Sequence, residues 1–93
     1  MKLSDDDKEK IVKICGGTNN TLVYNLRIED NTLCFKTYAG RKRANEACKA
    51  LLKAGLQSTP DDGKPEFEIS GKEGANRVDV KWFLNPKKAL WSK

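Results

Sequence analysis

Three consecutive cations, Arg41, Lys42 and Arg43, follow Gly40 at the start of an apolar-periodic run. That position carries a chemical meaning. A helix N-terminus exposes unpaired backbone N–H groups and partial positive charge, so a cation there costs about 0.3–1 kcal/mol. The cost reverses when a phosphate sits between the cations and the free N–H groups. Lys36, Lys49 and Lys53 extend the region, so residues 36 to 53 hold six cations against Glu46 alone, a local charge of +5. A cluster of this kind makes several phosphate contacts whose strength falls steeply as salt rises. The expectation is that Arg41, Lys42 and Arg43 take phosphate, supported by Lys36, Lys49 and Arg77. The competing expectation is a solvated face whose cations pair with acids elsewhere, such as Glu29 or Asp30.

A second candidate surface is the outer face of a sheet. If Phe67, Ile69, Val78, Val80 and Trp82 point inward, the other face shows Arg27, Lys36, Tyr38, Arg77, Lys81 and Phe83. Cations interleaved with aromatics can track a nucleic-acid backbone and stack bases. Glu66, Glu68 and Asp79 share that face and argue for cross-strand ion pairs. The Gly-aromatic signature of ribonucleoprotein-type sheets is absent. At the C-terminus, Lys87, Lys88, Trp91 and Lys93 form a third patch, in which Trp91 is expected to close the core rather than grip a partner.

Pro60-Asp61 followed by Asp79-Val80-Lys81 resembles the Pro-Asp … (Asp/Glu)-x-Lys signature of metal-dependent nucleases. The resemblance spans five residues and implies Asp61 and Asp79 as Mg²⁺ ligands, with Lys81 assisting the attacking water. Pro60-Asp61-Asp62-Gly63 is equally accounted for as a turn. With no histidine in the chain, the common nucleophile–histidine arrangements are unavailable. Cys15-Gly16-Gly17-Thr18 lacks the spacing and the lysine of a phosphate loop. No enzyme and no cofactor are expected.

The elements that must position these residues read clearly from their periodicity. Ser4 followed by Asp5, Asp6 and Asp7 marks an N-cap with an acidic first turn. Ile11, Val12, Ile14 and Cys15 give the apolar stripe of a helix over residues 5 to 15, stopped by Gly16-Gly17. From Thr21 the period becomes two, with Leu22, Tyr24, Leu26 and Ile28 on the core side. Glu29-Asp30-Asn31 turns the chain into a return strand over residues 32 to 38, with Leu33, Phe35 and Thr37 inward. Ala44, Ala47, Cys48, Leu51 and Leu52 then form one buried helical face, ended by Gly55. Strands follow over residues 66 to 70 and 77 to 84, and the final KKALWSK reads as a possible helical turn. The order α-ββ-α-ββ predicts an α+β two-layer sandwich with an antiparallel sheet, in one domain over residues 1 to 93.

Composition agrees with this reading. The 93 residues are 38% hydrophobic and 33% charged, as in an ordinary globular domain. The net charge of +5 resides entirely after residue 40, since residues 1 to 40 hold six cations and six acids. That asymmetry points to a polyanionic partner. Cys15, Cys34 and Cys48 are odd in number and widely spaced, which favours reduced, apolar packing over a metal site. No apolar run reaches membrane-spanning length, and the first residues lack a signal-peptide core, so an intracellular location without membrane association is expected. The function expected is a small regulatory or accessory protein that binds DNA or RNA. The alternative is a protein-interaction module, of the small viral or phage inhibitor kind, docking on an acidic protein surface. A monomer is expected, or a homodimer formed through an edge strand.

Overall fold

The computed structural model describes residues 2–60 and 62–92. The elements are α1 (Asp5–Gly16), β1 (Val23–Glu29), β2 (Thr32–Thr37), α2 (Arg41–Ala54), β3 (Phe67–Ser70) and β4 (Val78–Phe83). The strands form one antiparallel sheet in the order β1-β2-β4-β3. Both helices pack on one face of it, which makes the α+β two-layer arrangement.

Local chemistry explains the element boundaries. At α1 the Ser4 hydroxyl accepts from the Asp7 N–H at 3.1 Å, and the Asp7 carboxylate accepts from the Ser4 N–H at 3.3 Å. This reciprocal capping box satisfies two donors that the helix itself leaves free. Asp30 and Asn31 both adopt positive φ, 49° and 59°, giving a two-residue hairpin turn whose twist matches the strands. α2 ends at Gly55 in the left-handed region, φ 104°.

Leu33 and Phe35 from β2, and Val78, Val80 and Trp82 from β4, are buried beneath the helices. Ile11 and Cys15 of α1 meet them, as do Ala44, Ala47, Cys48 and Leu51 of α2. All three cysteines are free and buried. Burial pushes the Cys15 and Cys48 thiols up to about 12, so both stay protonated packing groups.

Two expectations are corrected. Leu22 and Tyr24 were expected on the core side, but Leu22 is 58% exposed while Val23 is buried. The cause is a bulge. β1 pairs Tyr24 with Lys36 but Arg27 with Cys34, so two residues of β1 oppose Phe35 alone. Asn25 sits at φ 58° within the bulge, and the extra residue inverts the alternation. Leu26 and Ile28, beyond it, pack on the core as expected. The second correction is at the C-terminus, where Pro86 and Lys87 form a turn in place of a helical turn. Trp91 then pairs with Leu56 in an isolated antiparallel bridge.

Candidate nucleic-acid interface

The start of α2 is built without local help. Its N-cap, Gly40, offers no side-chain hydrogen bond, and its first turn contains no acid. Arg41, Lys42 and Arg43 are exposed at this end. Arg41 does not project freely: its guanidinium donates to the backbone carbonyls of Gly71 and Ile69 at the end of β3. These partners are neutral, so the positive charge stays uncompensated while the fork ties α2 to the sheet. Lys42, Arg43 and Lys49 form no ion pair among the described residues. Glu46, the acid within α2, instead accepts from the Asn19 amide at 2.7 Å.

Neither acid expected to neutralise α2, Glu29 or Asp30, pairs with it. Glu29 pairs with Arg27 at 3.1 Å. Asp30 lies in the β1–β2 turn, at the end of the sheet opposite the start of α2.

The open face of the sheet carries the remaining candidates. Lys36 pairs with Asp79 at 2.9 Å across β2 and β4, and that hydrogen bond, with the attraction of the carboxylate, raises the lysine pKa. Arg77 lies over the Tyr38 ring, its guanidinium carbon 4.9 Å from the centroid. Tyr38 also stacks on Tyr24, centroids 4.4 Å apart and planes 24° from parallel. Lys81 lies opposite Glu68 in the β3–β4 register, yet the two form no ion pair. Phe83 lies beneath the Lys64 ammonium at 5.3 Å.

The fold thus gathers Tyr38, Arg77 and Lys36 at the end of the sheet where β2 leads into α2, so Lys42 and Arg43 share that end. Lys49 lies about 10 Å farther along the helix from Lys42. Lys81 sits farther down the sheet. Tyr24 and Leu22 join the cluster although periodicity placed them inside. The signal that could have revealed this is Asn25 in mid-strand, a residue that tolerates positive φ.

The other candidates separate from this site. The Trp91 indole donates to Asp7 at 3.0 Å, and Lys10 sits 4.0 Å over its ring, so Trp91 closes the molecule against α1. Lys87 and Lys88 are exposed, and Lys93 lies outside the described residues. Of the nuclease-like residues, Asp61 is also outside them, and Asp79 is engaged by Lys36. Among the described residues, no group of three or more His, Cys, Asp or Glu side chains converges to hold a metal ion, and no helix is long and apolar enough to cross a membrane. No family model matches the chain, and neither a curated protein nor a solved structure matches it significantly.

Proposed function

We propose that this protein binds nucleic acid through phosphate contacts at the start of α2, as a regulatory or accessory factor without catalysis of its own. The observation that carries the reading is the set of exposed cations Lys42, Arg43 and Lys49, none ion-paired among the described residues, on a helix with one acid, Glu46, against them. Arg77 stands at the same end of the sheet, and Arg41 adds its own charge there, since its carbonyl partners are neutral. A phosphate there meets free helix N–H groups and several cations together.

Fluorescence anisotropy with labelled DNA and RNA, at two salt concentrations, tests this. Three phosphate contacts weaken binding roughly 20- to 50-fold for a fourfold rise in salt. The Lys42→Ala/Arg43→Ala variant is expected to lose most of that dependence while remaining folded. Absence of binding at low salt overturns the reading.

Exposure of Leu22 and Tyr38 beside the cations favours a second reading, docking on an acidic protein surface. It predicts one stoichiometric protein partner whose affinity depends chiefly on those two side chains.

A further inference from the structure

Tyr38 has a planar neighbour on each side. Tyr24 stacks on it from β1, and the Arg77 guanidinium covers it from the β4 side. The register requires this arrangement. The Tyr38 N–H donates to the Leu22 carbonyl at 2.9 Å across β1, and extending the β2–β4 pairing one step past Thr37–Val78 sets Tyr38 opposite Arg77. β1 and β4 flank β2 on opposite sides, so the two neighbours approach the ring from opposite directions along the sheet. Tyr38 is thus flanked across the strands by the stacked Tyr24 ring and by the Arg77 guanidinium.

This stack lies on the sheet face that the helices leave open. Tyr38 is 50% exposed, and Leu22, the exposed apolar side chain opposite it, borders the stack. Alongside is an open trough of about 280 Å³ lined by Tyr24, Lys36, Arg77, Val78 and Asp79. Charge is distributed unevenly around it. Lys36 and Asp79 cancel one another, whereas Arg41, Lys42, Arg43 and Arg77 at this end have no ion-paired acid among the described residues. Residues 31 to 45 contain no acid at all.

We infer that the stack is a platform for unpaired bases, and that the ligand is a single-stranded nucleic acid whose backbone runs from the Tyr24–Tyr38–Arg77 stack toward Lys42 and Arg43. The inference rests on the nucleic-acid reading above and gives it a substrate class. A further planar ring extends such a stack, and the guanidinium adds its attraction for π faces. Bases inside a duplex have their faces covered by neighbours and present only their edges, so they cannot add to it. The mixed polar lining of the trough meets base edges without selecting one sequence.

The test compares three ligands of equal length on the unaltered protein: a single strand, its duplex, and a strand whose central nucleotides are abasic. The abasic strand retains every phosphate and loses the bases. The single strand is expected to bind at least about tenfold more tightly than either of the others. Tyr24→Leu, which keeps an apolar side chain but removes the ring, is expected to lower single-strand affinity about tenfold and leave abasic-strand affinity and the salt slope unchanged. Equal binding of all three ligands overturns the platform while the phosphate reading stands. Absence of binding to any of them overturns both. The ligand comparison needs no variant, so its outcome holds even if Tyr24→Leu disturbs folding.

Discussion

Arg41 and Gly71 are joined by two hydrogen bonds from one guanidinium, Nε at 3.2 Å and Nη2 at 2.8 Å from the same carbonyl oxygen. Nη1 reaches the Ile69 carbonyl at 3.1 Å. The fork compensates for the missing cap of α2 by holding the helix start against the end of β3. Gly71 suits this place because a Cβ there would stand 2.9 Å from a Val78 methyl. Arg41→Lys retains the charge but cannot reproduce three diverging bonds. It is expected to lower stability by about 1–2 kcal/mol, measured by urea unfolding, with nucleic-acid affinity nearly unchanged. Equal stability of the two proteins would show that the fork contributes nothing.

Gln57 holds the C-terminal segment in place. Its side-chain amide donates toward the carbonyls of Asn85, Lys88 and Ala89, and its side-chain oxygen accepts from the Asn85 N–H at 2.7 Å. Its backbone carbonyl accepts from the buried Trp82 indole at 2.8 Å. Gln57→Leu keeps much of the volume and the backbone bond to Trp82 but removes the side-chain partner of the Asn85 N–H and of the Asn85, Lys88 and Ala89 carbonyls. The expected loss is about 2–3 kcal/mol in denaturant, with faster amide exchange confined first to residues 85 to 91.

The Asp7 carboxylate predicts an acid-sensitive contribution. Burial opposes its ionisation, but hydrogen bonds from Ser4 and Trp91, with the nearby Lys10 charge, outweigh that and hold its pKa below the usual 3.8. A depressed folded-state pKa stabilises the protein fully above the unfolded value, and the contribution disappears as pH falls through the folded one. Thermal midpoints followed from about pH 5 to pH 2 should therefore drop more steeply for the unaltered protein than for Asp7→Asn. Parallel profiles would remove Asp7 from the acid response.

Much of the scaffold was legible because its signals are local. Ser4 and Asp7 lie three residues apart, and Ala44, Ala47, Cys48 and Leu51 repeat at helical spacing. Asp30 and Asn31 are residues that accept positive φ at low cost. The site was less legible because its determinants are not local. The carbonyl partners of Arg41 lie 28 and 30 residues away, beyond any charge pattern along α2. The bulge at Asn25 moved Tyr24 from the expected core to the open face, and with it the stacking partner of Tyr38. One inserted residue therefore separates a buried tyrosine from a stacked aromatic pair on the open sheet face.

The hydrogen bond between Asp7 and Trp91 spans 84 residues of sequence. During synthesis, the first helix emerges from the ribosome long before the segment that clasps it. The hairpin of β1 and β2 can pair early, but β4 must arrive before Phe35 and Leu33 gain their central neighbours. Final docking of α1 by Trp91 follows after that. Until then, the apolar side of the half-built sheet lacks its last covering segments, so the sheet closes only when contacts distant in sequence have formed.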